Sequence, residues 1–521
     1  MVHAMGRVLV GVALQCLLMG VVASTAVATP RWLAPVALSA AGPNADTSRV
    51  VVDGRGDAFA VWEREGCCGR SVEAAERPAG GAWESPVDLS GESERGAAEP
   101  KIAVDASGDS VAVWSESGVI QGATRAAGGE WQSPTNLSEP GRAAGRPEVA
   151  VYPDGRALVV WQRSTQGVGV IQAASSSADG SWQPPVDLSE PGADSARIAV
   201  DAHGDALVVW NRLAAGARNI EAAALPYEGS WQRPVVLSAG GEGSEIPEIA
   251  MDVAGDAVAV WEHHADGEEV IQSAFRSAGG EWQPPVDVTK PAPDALEPHV
   301  GMDAHGDAIA LWARSRGMAD VIQAASRPAG GAWSTSHTLS ETDASGERQQ
   351  LAVNADGSAV AVWLRSGGNE RVLADTEPAG GAWRIPVVLS EAGDDDYPAV
   401  AIDPQGNAVA VWGERLSGAP FAVQAAGFDD AGPLLGSLSI PASGTAGHPI
   451  SFSVSPLDVW SALGGTTWKF GDGTSARGTS VVHSYRTPGT YTVTILSKDV
   501  LGNATSASGS ITIAPSSGEA N

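Results

Sequence analysis

Aspartate and arginine recur in this 521-residue chain at spacings that could do chemistry. The pattern D-x-x-G-D occurs five times, pairing Asp53 with Asp57, Asp105 with Asp109, Asp201 with Asp205, Asp252 with Asp256 and Asp303 with Asp307. Calcium takes several oxygen ligands, so paired aspartates in a turn could hold it. The same pattern suits a capped turn, in which Asp accepts backbone N–H groups and Gly supplies positive φ. Capping is the expected role, and no metal or cofactor is expected. Arg55-Gly56-Asp57 spells an integrin-type tripeptide, but it falls within this recurring turn and reads as coincidence.

A second series lies two residues after a recurring Trp and reads Arg64, Glu116, Arg163, Arg212, His263, Arg314, Arg365 and Glu414. The chain carries 32 Lys and Arg against 62 Asp and Glu, a net charge of −30. Arg64, Arg163, Arg212, His263, Arg314 and Arg365 would then form a cationic arc on an acidic body, and they are the expected ligand-binding residues. Guanidinium forks match carboxylates, so the expected ligand is anionic. The competing reading pairs each Arg with a loop carboxylate. No G-x-S-x-G, H-E-x-x-H or phosphate-cradling loop occurs, and His263-His264 is adjacent rather than spaced for a metal. No catalytic residue is assigned.

These residues are positioned by an internal repeat. A Val- and Ala-rich run ends in Trp62, Trp114, Trp161, Trp210, Trp261, Trp312, Trp363 and Trp412, at spacings of 47 to 52 residues. A second Trp series has the approximate form W-x-x-P-V-x-L-S and falls at Trp32, Trp83, Trp131, Trp182, Trp231, Trp282, Trp333 and Trp383. Trp333 departs most, with Ser336 in the Pro position. In the unit from Pro247 to Thr289, the pattern predicts strand A at Ile249–Asp252, B at Asp256–Trp261, C at Val270–Arg276 and D at Trp282–Val288. Four short strands and tight turns in about 50 residues predict a blade of a β-propeller. The chain begins with a lone D strand, Trp32 to Ser39, and the last unit lacks one. The first segment is therefore expected to complete an eighth blade and remove an open sheet edge. The Trp residues are expected to pack between blades.

The B–C and D–A loops share one face of such a ring, and they vary most in length. Binding is expected there. The first position of strand A, on the same face, varies in charge: Arg49, Lys101, Glu148, Arg197, Glu248, His299, Gln350 and Ala399.

The four-strand units with a Gly-rich C–D turn ahead of Trp resemble the sialidase-like and kelch-like propellers over residues 32 to 428. Ser177-Ala178-Asp179-Gly180-Ser181-Trp182 is similar to the Asp-box turn of sialidases, though shorter. A sialidase-like mechanism needs a Tyr nucleophile, and of Tyr152, Tyr227 and Tyr397 only Tyr397 falls on the variable-loop face.

Beyond Asp430 the repeat stops. Trp468-Lys469-Phe470-Gly471-Asp472-Gly473, then His483-Ser484-Tyr485 and Pro488-Gly489-Thr490-Tyr491-Thr492-Val493, resembles a PKD domain. The resemblance implies an immunoglobulin-like β-sandwich acting as a spacer or binding module, with Trp468, Phe470 and Tyr491 in its core. The expected domains are a signal peptide at 1–28, an all-β eight-bladed propeller at 29–430, the PKD-like domain at 431–515 and a disordered tail at 516–521. Arg7, the apolar run Val8 to Val22 and Ala26-Val27-Ala28 carry the signal-peptide reading. Only Cys67 and Cys68 follow the leader, too few to staple the fold.

The expectation is a secreted or cell-surface monomer that binds an extracellular glycan or protein without catalysis. The acidic charge argues against nucleic acid, and no membrane span is expected. A sialidase-like carbohydrate-active enzyme and a structural envelope protein are the alternatives.

Overall fold

Strand B carries the longest apolar runs, and it lies at the heart of each sheet. The computed structural model describes residues 30–516 except 41, 43, 67–68, 92–95, 178–179, 239–242, 266, 292–293, 318, 343, 369, 392 and 416–418. The expected signal peptide, Cys67-Cys68, Asp179 of the Asp-box-like turn and residues 517–521 of the expected tail lie outside the described residues. The described residues form β-strands and no helix. Seven four-stranded antiparallel sheets follow in chain order, and an eighth joins the two ends of the array.

The unit at Pro247 shows how the predicted strands shift. Strand A spans Ser244–Met251, B Ala257–Ala265, C Glu268–Arg276 and D only Val286–Asp287. Pro284 and Pro285 have no N–H to give a longer ladder, but strand D is equally short at His337–Thr338, where Thr335 and Ser336 stand in place of the prolines; Trp282 makes a single bridge to Arg276. Strand A is longer than predicted because it continues past Pro247 through a β-bulge between Glu245 and Glu248.

The eight strand-B Trp residues are at most 1% exposed. Each packs against the preceding sheet, as Trp261 does against Leu207, Val209 and Ile220. The hydroxyl of the Ser or Thr that closes the D-strand motif accepts a strand-C N–H in blade after blade. Ser90 takes Val72 N at 2.9 Å, Ser138 takes Ile120 N at 2.8 Å and Thr289 takes Ile271 N at 3.0 Å. The Asp pairs are caps. Asp252 Oδ1 accepts the N–H groups of Ala254 and Asp256, and Asp256 Oδ1 accepts Ala278 N from the C–D turn. One pair thus fixes two turns of a blade, and the other four repeat the pattern.

The ring closes as expected from sequence. Arg31–Trp32 pairs with Phe428 and Asp429, and Val36–Ala37 pairs with Gln424 and Ala425. Ser39 Oγ accepts Val423 N at 3.0 Å, the same bond made inside the other blades. The seam buries Trp62, Val409, Val411 and Val423 together.

The C-terminal unit is a two-sheet sandwich. Phe452, Trp468, Phe470 and Tyr485 fill its core. Tyr491 lies at the margin, stacked on Tyr485 with ring centroids 4.3 Å apart. Its hydroxyl reaches Thr487, and a phenol so placed keeps one end wet.

Closure generates a test. Trp32 packs at a tilt against Phe428, with ring centroids 5.3 Å apart. Trp32→Ala is expected to cost about 2–3 kcal/mol in a urea titration, below the ~3–5 kcal/mol of a fully buried Trp. Deletion of residues 31–39 is expected to produce aggregation in light scattering, because it bares a full-length strand edge.

Candidate functional site

Closing eight A strands around one axis brings their equivalent positions together. Arg49, Lys101, Glu148, Arg197, Glu248, His299, Gln350 and Ala399 form a polar ring there. Each follows a β-bulge, at Asp46/Arg49, Ala98/Lys101, Gly145/Glu148, Asp194/Arg197, Glu245/Glu248, Leu296/His299, Glu347/Gln350 and Asp396/Ala399. The bulged residues Thr47, Glu99, Arg146, Ser195, Ile246, Glu297, Arg348 and Tyr397 all have φ between 46° and 59°. None is glycine, so each blade holds a residue in a sparsely populated conformation at the rim of the axis. Buried carboxylates hold two of these bulges from the preceding blade: Glu63 accepts Glu99 N and Glu262 accepts Glu297 N. Burial pushes the Glu262 carboxyl up to about 7.

Within the ring, charges pair between neighbours. Lys101 Nζ lies 2.6 Å from Glu148. Arg197 bridges Glu148 at 3.4 Å and Glu248 at 2.7 Å. Burial pushes Glu148 upward, but Lys101 and Arg197 outweigh it and hold the carboxyl below its ordinary value. Burial lowers His299, so the imidazole is neutral, and it shares a 3.3 Å hydrogen bond with Gln350. Arg49 is different. Its guanidinium donates to Ser48 O, and no carboxylate among the described residues is in ion-pair range of it. Burial lowers its pKa, with Glu148 opposing from farther off. Beside it the ring is uncharged at Gln350 and Ala399. A pocket of about 460 Å³ opens there, lined by Arg49, Arg197, Glu248, Glu297, His299, Arg348, Gln350 and Tyr397 among others. Arg348 pairs with Asp396 and covers the Tyr397 ring at 4.4 Å.

The six residues of the expected arc lie farther out on the same face and turn into their own blades or to the adjoining D–A loop. Arg64 meets Glu73 at 3.4 Å, Arg163 meets Asp187 at 3.0 Å, Arg212 meets Glu221 at 2.7 Å and Arg365 meets Glu341 at 3.2 Å. His263 shares a 2.9 Å hydrogen bond with Ser244, and Arg314 donates to Lys290 O at 3.1 Å. They do not converge on the axis. In the sequence the axial residues show only as a position of varying charge. The sharper signal is the proline one residue ahead of it in five units, Pro100, Pro147, Pro247, Pro298 and Pro398. Proline inside a strand marks a bulge or an edge.

A metal could be held elsewhere. Asp429 from the last propeller strand meets Asp458 and Asp499 of the C-terminal domain, with carboxylate oxygens within 4.8 Å of one another. All three are buried. Asn503 Nδ2 donates to Asp429 and Asp499, and Ser461 donates to Asp458. Among the described residues, no hydrogen bond reaches Asp429 Oδ2 or Asn503 Oδ1. Burial, with Asp458 and Asp499 adding repulsion, pushes Asp429 up to about 7. A hard divalent cation would take these oxygens as ligands.

Two tests follow from this geometry. Arg197→Ala leaves Glu148 and Glu248 poorly compensated. It is expected to cost on the order of 2–3 kcal/mol, discounted from the ~3–5 kcal/mol of a fully buried pair because the side chain is partly solvated. Arg49→Ala is expected to change stability by less than about 1 kcal/mol. Denaturant titration reads both. At the acidic cluster, Asp429 binds its proton more tightly folded than unfolded. Without metal its contribution to stability is present below about pH 4 and is lost as pH rises through about 7. Calcium at a hundredfold its Kd is expected to add ~2.7 kcal/mol. The gain should be larger at about pH 8 than at about pH 5, and Asp429→Asn should abolish it in thermal melts.

Residues 431–514 match the PKD domain family. Among solved structures, the chain is similar to a fungal alcohol oxidase of the AA5 family in complex with copper, at 12% identity over 93% of this chain and 99% of that one, with a TM-score of 0.46. It is similar to a PL25 ulvan lyase at 10% identity over 75% of this chain and 95% of that one, with a TM-score of 0.44. It is similar to the PKD1 domain of the Vibrio cholerae metalloprotease PrtV at 20% identity over 16% of this chain and 96% of that one, with a TM-score of 0.14. No curated protein matches the chain. The chain is a β-propeller carrying a PKD domain at its C-terminal end.

Proposed function

We propose that this is an exported, non-catalytic binding protein whose propeller receives an anionic group of a glycan or protein at the axial mouth. The observation that carries this reading is Arg49. The ring holds three cations, Arg49, Lys101 and Arg197, against two carboxylates, Glu148 and Glu248, so it keeps one positive charge in excess. That charge is partly desolvated, faces a pocket and has no carboxylate of its own, on a chain of net charge −30. A carboxylate or sulfate would supply the missing partner in a charge-assisted, bidentate bond. Export is supported by the apolar leader.

Catalysis is not favoured. Glu148 and Glu248 are engaged by Lys101 and Arg197 and serve as counter-ions. One observation favours the sialidase-like reading as a second choice, because Tyr397, Glu297 and three arginines share the mouth.

The test is a glycan array of acidic and neutral oligosaccharides together with a chromogenic glycoside panel. The expected result is binding of acidic members without turnover, weakened by salt and reduced in Arg49→Ala with the fold intact. Turnover of any glycoside that Tyr397→Phe abolishes would replace this reading by the enzymatic one.

A further inference from the structure

The flank of the ring carries a second cationic recess. Between the blades built on Ala257–Ala265 and Ala308–Arg316, a groove of about 940 Å³ runs down the outer side of the propeller. Lys290, Arg314, Arg316 and Arg327 line it, against the single carboxylate of Asp287. Asp287 is itself engaged by Gln272 Nε2 at 2.9 Å. On a chain with nearly twice as many acidic as basic residues, four cations to one carboxylate is a local reversal.

Arg327 is the unusual member. It is 8% exposed, its guanidinium lies 4.4 Å over the Phe275 ring, and its Nη1 is buried without a hydrogen bond. Burial lowers its pKa, and no acidic group opposes that shift. The repeat supplies an internal control. Register places Arg327 opposite Ala308, as it places Arg125 opposite Ser110 two sheets into the ring. Arg125 is neutralised by Glu76 of the preceding blade. Glu76 stands opposite Phe59, and its counterpart opposite Val258 is Phe275. Where one groove has a buried ion pair, the other has an arginine on an aromatic ring with no counter-ion among the described residues. The equivalent residue between Tyr152 and Trp231 is Leu225, and that groove of about 400 Å³ has no cation at this position.

The rest of the groove suits a sugar. Trp333 forms part of the wall, its indole fixed by a 2.8 Å hydrogen bond from Nε1 to Ser273 Oγ of the neighbouring blade. The D segment of this blade is the one that departs from the repeat, with Ser334, Thr335 and Ser336 lining the groove where other units carry Pro. Gln323 Oε1 is buried there without a partner. An aromatic wall, hydroxyl and amide groups and an uncompensated arginine are the few placed polar contacts of a ligand recess.

We propose that this groove is a binding subsite for an acidic sugar residue of a polysaccharide, whose anionic group pairs with Arg327 while the Lys290, Arg314 and Arg316 side draws the chain in. The subsite is separate from the axial mouth and does not depend on what binds there.

The test uses isothermal titration with three probes: an oligogalacturonate, its neutral oligogalactan counterpart, and a sulfated oligogalactan. The full chain is compared with Arg327→Leu, which installs the residue that Leu225 already provides in another blade, and with Phe275→Glu, which rebuilds the Arg125–Glu76 pair at this position. Binding of an acidic probe and not the neutral one is expected. It should weaken with salt and fall by about tenfold to a hundredfold in Arg327→Leu, the loss of one charge-assisted hydrogen bond. Phe275→Glu should fall similarly while melting no lower than the parent, so the result stands even if Arg327→Leu fails to fold. The galacturonate and sulfate arms tell carboxylate from sulfate recognition. In Arg49→Ala the isotherm that depends on Arg327 should persist beside the loss of the axial one; loss of all acidic-probe binding in that variant, with none in the groove variants, would place the anion at the axis and overturn the subsite. Equal binding of the neutral probe, no binding of either acidic probe, or unchanged affinity in both groove variants would overturn it as well.

Discussion

The seam between the first and last sheets is the constraint on which the molecule depends. Sheets that bury both faces against neighbours cannot stop without leaving one face and one edge exposed. Here the edge of Ala422–Asp429 is met by Arg31–Trp32 and Val36–Ala37, and Ser39 makes to Val423 the bond that Ser90 makes to Val72. The face is met by packing Trp62 against Val409, Val411 and Val423. Because the closing strand comes from the other end of the chain, the last blade is not complete until the two ends of the array meet. Loop-closure entropy then falls on the last step.

Closure also creates the axis, and the axis has chemistry that no single blade has. One blade contributes one residue to the polar ring. A lone Arg49 or Glu248 on an isolated A strand would be an ordinary edge charge. Eight such positions brought together form a mixture of charges that must be reconciled in a small, partly dry space. Lys101, Glu148, Arg197 and Glu248 reconcile theirs as a chain of ion pairs. Arg49 is left over because the next positions around the ring are Gln350 and Ala399. Small residues at Ala103, Ala150, Ala199, Ala250, Gly301, Ala352 and Ala401 let the strands come this close; a Cβ on Gly301 would lie 2.4 Å from Val353.

What is legible in the sequence follows from locality. The strand-B Trp, the D-strand motif and the Asp pairs act within one blade or across one interface, so each repeats and each repetition is visible. The register of closure is legible because the missing strand and the spare strand carry the same motif. The bulges are half legible, through Pro100, Pro147, Pro247, Pro298 and Pro398. The sequence pattern starts strand A after those prolines, because proline argues against a strand interior, and the bulge is what admits it. The axial ring reads in sequence as variation in charge along the array, since residue order does not show that eight positions share one axis. The arc of Arg64, Arg163, Arg212, Arg314 and Arg365 reads as convergent, yet the side chains at that position turn outward to strands C and D of their own blades or to the adjoining D–A loop. The cluster of Asp429, Asp458 and Asp499 joins residues 29 and 41 apart, as the numbering gives, from two domains, and no repeat announces it.

That cluster bears on what the C-terminal domain is for. A spacer needs a free hinge, and this domain is instead seated on the ring. Arg77, 5% exposed at the end of a strand C, donates to Val459 O at 2.7 Å and lies 3.7 Å over the Trp460 ring. Gly80 N donates to the same carbonyl at 3.0 Å. Three glycines make room for the contact. A Cβ on Gly56 would meet Val459 at 2.8 Å, on Gly80 Leu457 at 2.7 Å, and on Gly427 Trp460 at 2.1 Å. Gly56 is the middle residue of the Arg55-Gly56-Asp57 tripeptide; the docked domain covers this glycine, while Arg55 stays exposed. The contacts fall on the first and last blades, at the seam itself. Asp429 pairs with Arg31 in the closing ladder on one side and enters the acidic cluster on the other. The domain thus touches both of the blades that the closure joins. Whatever stabilises its docking, a cation among the three carboxylates included, also holds together the ends of the ring.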